Sequence, residues 1–187
     1  GEWQAASGNW RAAADRFLIL LRTNEKETLD TATLDHLRAV VALMEANDPA
    51  GSGRACRSGL ARFENSPEPL VAERVLKNTL LAPPEKELLD RVAPLAATLA
   101  KSLAKSEATS YERQQLGWRC LSLSLFEYRR GQAAEALKWA TKCLNEGGGN
   151  PARTATARLI MAMAYTQLGE LGEARAELDQ CRETLET

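Results

Sequence analysis

The sequence carries little from which a reactive centre could be built. It has one histidine (His36) and four cysteines, Cys56, Cys120, Cys143 and Cys181, and no Cys-x-x-Cys pair. One histidine and scattered thiols do not make a usual zinc set. The even cysteine count permits disulfides, but a large helical core has no need of them. We therefore expect reduced thiols packed as small apolar groups, no metal, no cofactor and a cytoplasmic setting. A net charge of −1 and a pI near 6.0 leave no basic footprint for nucleic acid or an anionic membrane surface. No apolar run reaches 18 residues, so no segment is expected to span a bilayer. Alternating β-branched runs and Asn-Gly hairpin signals are both missing, which leaves helix as the expected secondary structure throughout. The chain opens Gly1-Glu2-Trp3-Gln4, without a Met or a charged-then-apolar leader. We expect a piece cut from a longer protein, with no secretory signal in it.

What is present is a repeat. Arg130-Gly131-Gln132-Ala133-Ala134-Glu135-Ala136 aligns with Leu168-Gly169-Glu170-Leu171-Gly172-Glu173-Ala174, the glycines standing 38 residues apart. The alignment continues from Ala140 and Cys143 to Leu178 and Cys181. A third copy runs from Gly8-Asn9-Trp10-Arg11-Ala12-Ala13 to Phe17 and Leu20. Glycine, then alanine five residues on, then apolar residues four and seven further, describes a tight turn entering a helix. The alanine admits a close neighbour and the later positions share its face. Such a period signals stacked helical hairpins, and 187 residues accommodate about five of them.

Helical spacing and breakers place the elements. Residues 1–7 read as the tail of one helix, followed by a helix over about 10–22. The next spans about 29–46 with Leu34, Leu37, Val40, Val41 and Met44 at helical spacing. Asp48 is the expected N-cap and Pro49 the first residue of a helix reaching Phe63. Two helices follow, separated by Ala82-Pro83-Pro84, and Pro94 predicts a kink or break at Val92-Ala93 in the second. After a polar connector at 106–110, a long helix covers about 111–130. Helices to about Asn145, from Pro151 to Leu168, and from Glu170 to about Leu185 complete the chain, with 146–151 the expected flexible stretch.

The closing pair resembles a tetratricopeptide repeat (TPR). Met161-Ala162 stand at its Leu-Gly pair, Tyr165 at the aromatic of the first helix, Ala174 at the alanine of the second and Leu178 at the later aromatic. Arg158 replaces the early tryptophan. More narrowly, the order of features is similar to the C-terminal TPR region of large bacterial serine/threonine protein kinases, sometimes paired with propeller domains instead. The features are Ser7-Gly8-Asn9-Trp10, Asp48-Pro49-Ala50-Gly51, Leu80-Leu81-Ala82-Pro83, Tyr128-Arg129-Arg130-Gly131 and Gly147-Gly148-Gly149. Asn47 stands where a turn glycine is usual, and Leu89–Leu103 is lengthened. The resemblance implies an all-α, right-handed TPR-like superhelix of about five antiparallel pairs, one domain over 1–187, attached to a signalling protein. It carries no catalytic residue into this chain.

The remaining motifs are bland. Gly51-Ser52-Gly53 lacks the third glycine, the preceding strand and the Lys-Ser or Lys-Thr of a phosphate loop. His36 has no sequence partner for a triad and is expected half-exposed on a helix. Glu170, Glu173, Glu177 and Asp179 are expected on a solvated face with Arg175 and Arg182. Neither a His-Arg-Asp loop nor an Asp-Phe-Gly is present, so no enzyme is expected. The expected site is the groove of stacked hairpins, lined by the first helix of each pair and suited to a protein or peptide partner. Trp118, Leu121, Leu125, Tyr128 and Arg129 are expected there, then Leu159, Met163, Thr166 and Gln167. Leu121, Leu125 and Leu159 lean towards core, and Trp139 is expected behind the groove. The lysine-asparagine carboxylate clamp of chaperone-binding TPRs is missing. Tyr128→Ala with Arg129→Ala is expected to abolish partner capture with melting nearly unchanged. The alternative is homo-oligomerisation, as a homodimer, through exposed ends of the stack.

Overall fold

The structure is a computed structural model that describes residues 1–23, 28–103, 110–146 and 149–186, with backbone alone over 110–114. Residues 24–27, most of the expected connector at 106–110 and glycines 147 and 148 lie outside the described residues. The described residues form helices and no strand. In order these are α1 (Glu2–Ala6), α2 (Trp10–Thr23), α3 (Leu29–Glu45), α4 (Pro49–Phe63) and α5 (Pro69–Leu80). Then come α6 (Lys86–Ser102), α7 (Ser110–Arg129), α8 (Ala133–Asn145), α9 (Pro151–Leu168) and α10 (Leu171–Glu186).

One turn is used four times. Gly8, Gly131 and Gly169, the three aligned glycines, take φ of 72°, 76° and 81°. In each, the residue after the glycine donates its N–H five positions back (Asn9 to Gln4, Gln132 to Glu127, Glu170 to Tyr165). The glycine N–H itself reaches three back. These paired bonds are the Schellman termination, which needs a left-handed residue at its apex. Asn47 makes the same turn with φ of 56°, its N–H on Met44 and that of Asp48 on Leu43. Asparagine is among the few residues with a side chain that tolerate this conformation. The repeat therefore has a fourth copy, with Ser52, Cys56 and Gly59 at the alanine and later positions. Ala13, Ser52, Ala136 and Ala174 are 0%, 5%, 0% and 6% exposed, so all four equivalent small residues admit a close neighbour.

The N-termini of α4 and α9 are fixed by side chains. The Asp48 carboxylate accepts from Gly51 N–H at 2.8 Å, with Pro49 next to it, and Asn150 accepts from Arg153 N–H at 2.9 Å beside Pro151. Both satisfy a donor that the first helical turn leaves without a partner.

Directions follow from the hydrogen bonds. Ser124 donates to the Ala136 carbonyl across the α7–α8 hairpin. Arg158 meets Glu177 while Cys181 Sγ meets the Ala155 carbonyl, so α9 and α10 run antiparallel. Helices α5 and α7 are parallel. Ser122 bonds Glu73 and Arg129 bonds the Leu80 carbonyl, each pair 49 residues apart. The odd helices touch in series, α3 to α5, α5 to α7 and α7 to α9, while the even ones pack mainly on their sequence neighbours. The main core threads this series, with Leu60, Leu76, Leu80, Val92, Leu99, Leu123 and Ile160 within it; a smaller one joins α2, α3 and α4.

Pro94 does not break α6, which runs unbroken from Lys86 to Ser102. The proline is exposed, so the carbonyl that loses its amide one turn back, on Asp90, lies on the solvent side where water can serve it.

Candidate functional site

The expected groove residues can be built from α7 outward. Gly117 has no side chain, and Arg153 of α9 fills the space above it; a Cβ there would stand 2.7 Å from the guanidinium. The glycine thus lets an arginine that is 3% exposed lie flat on the α7 backbone. Arg153 also donates to the Glu146 carbonyl at 3.3 Å. The next residue, Trp118, is half-buried and has two cations near its ring, Lys77 Nζ at 4.6 Å and Arg153 Cζ at 5.8 Å. Lys77 donates to the Glu73 carboxylate at 2.6 Å, and the buried Ser122 hydroxyl donates to it at 3.2 Å. Trp118 therefore sits where α5, α7 and α9 meet, over an anion sunk beneath its cation.

Arg129 is a clasp. Its Nε and Nη2 donate to the carbonyls of Leu80 and Leu81 at 3.1 and 3.0 Å, groups that the end of α5 leaves without helical partners. Burial lowers its pKa from the usual arginine value. Tyr128 places its ring 5.6 Å from the same guanidinium and packs on the α7–α8 side. The expectation that alanine at both positions leaves melting unchanged is corrected by these bonds, because Arg129→Ala strips two carbonyls of their donors.

Leu121 and Leu125 are buried, whereas Leu159 is 42% exposed and so is surface rather than core. Leu159, Met163, Thr166 and Gln167 share one face of α9 at helical spacing. Met163 leans on the main core, the Thr166 hydroxyl bonds back to the Ala162 carbonyl at 2.8 Å, and Gln167 is exposed. The structure therefore brings Trp118, Arg129 and Met163 into contacts with neighbouring helices and leaves Leu159, Thr166 and Gln167 open. Trp139, on α8, packs against the main core. It borders a cleft of about 600 Å³ between α6 and the α7–α8 hairpin, with Ala97, Phe126 and Arg130.

Three of the four thiols are poor nucleophiles. Burial pushes Cys56 and Cys143 up to about 11 and Cys120 up to about 12, so each is protonated at neutral pH. Among the described residues no group of three or more His, Cys, Asp or Glu could hold a metal ion, and no helix is long and apolar enough to cross a membrane. Comparison with protein families, curated proteins and solved structures finds no match.

Sequence reasoning missed Glu73, Lys77, Ser122 and Arg153. The first two stand four apart on one helix, a spacing that signals a pair, but nothing local marks the carboxylate as buried. It also misplaced two groups. Glu177 is partly buried and paired across the hairpin to Arg158 at 2.8 Å, rather than on a solvated face. His36 is 4% exposed, its edge against Phe63 at 5.7 Å and its Nδ1 close over Gly59 without a hydrogen-bond partner. Burial first, then the Arg62 charge, lowers its pKa from the ordinary 6.5. A depressed histidine contributes stability that is present above its unfolded pKa and is lost as pH falls through the lower folded value. The urea midpoint should thus hold above about pH 6.5 and fall below it. Because the chain has one histidine, His36→Gln should remove that fall; an unchanged pH profile in the variant would refute the assignment.

Proposed function

We propose that the chain is a non-catalytic protein-interaction module, a right-handed TPR-like superhelix of about five helix pairs. It serves a cytoplasmic bacterial signalling protein of the kinase-associated kind that its sequence resembles. A peptide or partner domain lies along the face of the odd helices. The observation that carries this reading is the series α3–α5–α7–α9 with α5 and α7 parallel and in register over residues 49 apart. Helices aligned in that way expose one continuous surface, as stacked repeats do. On α9 that surface offers Leu159, Met163, Thr166 and Gln167, an apolar pair beside a polar pair, which suits a peptide with alternating anchors. Trp118 adds a rigid aromatic edge at the centre.

Selection from a random peptide library tests it. Leu159→Arg with Gln167→Arg should cost at least about tenfold in affinity for selected peptides, the effect of one lost anchor, with melting unchanged because both residues are exposed. Lys138→Glu on α8, on an even helix, should bind as wild type does. Equal binding by both variants would refute the odd-helix face.

A further inference from the structure

Between α2 and α4 runs a trough with α3 as its floor. One part, about 300 Å³, has Leu18, Leu21 and Arg22 of α2 on one wall, Arg54 and Ser58 of α4 on the other, and Leu43 of α3 beneath. The next part, about 380 Å³, shares Leu21 and Ser58 and adds His36 and Arg62. Arg54, Ser58 and Arg62 stand four residues apart, so they form one row along α4. That helix holds three arginines over Pro49–Phe63 and no acid. Arg22 and Arg54 are exposed, and neither has an ion pair or a side-chain hydrogen bond among the described residues. The acid that borders the first part, Asp48, is turned instead to the Gly51 N–H at 2.8 Å and to Arg11 at 3.5 Å. The Ser58 hydroxyl is unengaged as well. Those of Thr98 and Thr156, also at the surface, donate to carbonyls one turn back, whereas that of Ser58 has no partner among the described residues.

We propose that this trough binds a phosphorylated serine or threonine of a partner polypeptide, with the phosphate held between Arg22 and Arg54 beside the Ser58 hydroxyl. Two guanidinium groups on facing walls and a hydroxyl next to them border one small space. That suits the three terminal oxygens of a phosphate monoester, whereas a single arginine fork already satisfies a planar carboxylate. Arginine clusters are how protein surfaces read phosphorylated segments. Leu18, Leu21 and Leu43 give an apolar neighbour of the phosphorylated residue a place to bury, which a free phosphate ion would not use. The chain as a whole has a net charge of −1, so the cluster is a local feature and not part of the broad basic surface that a nucleic-acid backbone requires.

Peptide libraries with random flanks around a fixed central residue, retained on the immobilised chain and counted by mass spectrometry, read the outcome. Central phosphoserine should be enriched about tenfold or more over central serine, the effect of at least one charge-assisted hydrogen bond, and should exceed central glutamate. Arg22→Gln and Arg54→Gln should each remove most of that enrichment with an unchanged melt, since neither side chain has a partner to lose. Ser58→Asp should abolish it by setting a resident carboxylate among the arginines. Arg16→Gln on α2, outside the trough, should leave it intact. A loss there equal to that of Arg22→Gln would reduce the effect to overall charge and overturn the proposal. Equal retention of phosphorylated and plain peptides overturns it too. So does release of the bound peptides by micromolar inorganic phosphate, which would assign the site to the free ion. Retention of an oligothymidylate that Arg54→Gln loses would assign the trough to a nucleic-acid backbone and likewise overturn it. None of these results bears on the odd-helix face, whose α9 residues lie outside the trough and whose binding needs no phosphate.

Discussion

Replacing Lys77 by methionine is expected to destabilise the protein by about 3–5 kcal/mol, although the change looks mild for a helix-surface residue. The Glu73 side chain is 4% exposed and its carboxylate has two partners, the Lys77 ammonium at 2.6 Å and the Ser122 hydroxyl. Without Lys77, a buried anion would rest on one neutral hydroxyl. Its desolvation then outweighs whatever the added apolar side chain contributes against Trp118. Glu73→Gln with Lys77→Met should recover most of the loss, since a neutral amide still accepts from Ser122 and no charge is left uncompensated. The double-mutant cycle, read by urea denaturation, should give a coupling well above the ~0.5 kcal/mol of an exposed helical pair. A Lys77→Met protein within about 1 kcal/mol of wild type, the range of a surface pair, would show that water reaches Glu73.

Leu76→Ala is expected to cost about 3–4 kcal/mol, in the upper half of the usual range for leucine truncation. Leu76 is fully buried, and α5 packs against α3, α4, α6 and α7. A cavity ringed by four helices collapses poorly, which is what raises the cost above the transfer energy of the lost methyls. The urea midpoint should fall with little change in slope, and Tm should drop by about 10 °C for a chain of this size. A loss under about 1.5 kcal/mol, well below the leucine-to-alanine range, would mean that the helices close over the vacancy and that α5 is less constrained than its neighbours suggest.

Much of the architecture could be read from residues that act locally. Gly8, Gly131 and Gly169 announced their turns because a left-handed apex restricts residue choice whatever surrounds it. Asp48 and Pro151 announced helix starts for the same kind of reason. Asn47 hid a fourth copy by meeting the same backbone demand with a different residue. The site was harder to read, because burial in stacked helices is set by partners far along the chain. Cys120-Leu121-Ser122-Leu123-Ser124-Leu125-Phe126 alternates apolar and polar, yet all seven residues are buried. Ser122 and Ser124 lie inside because Glu73 and the Ala136 carbonyl await them. Arg129, expected in the groove from its place on the first helix of a pair, spends two donors on α5. No pattern within α7 reveals those acceptors.

The 49-residue spacing that registers α5 on α7 has a kinetic meaning. The side-chain bonds described above never close a longer stretch of chain, and the entropy of closing a loop grows only slowly over such lengths. Low contact order of this kind favours quick, local assembly. Each hairpin can dock as soon as its predecessor has left the ribosome, without waiting for a distant end of the polypeptide. Where a closed fold must gather its two ends before anything holds, this one can grow by accretion.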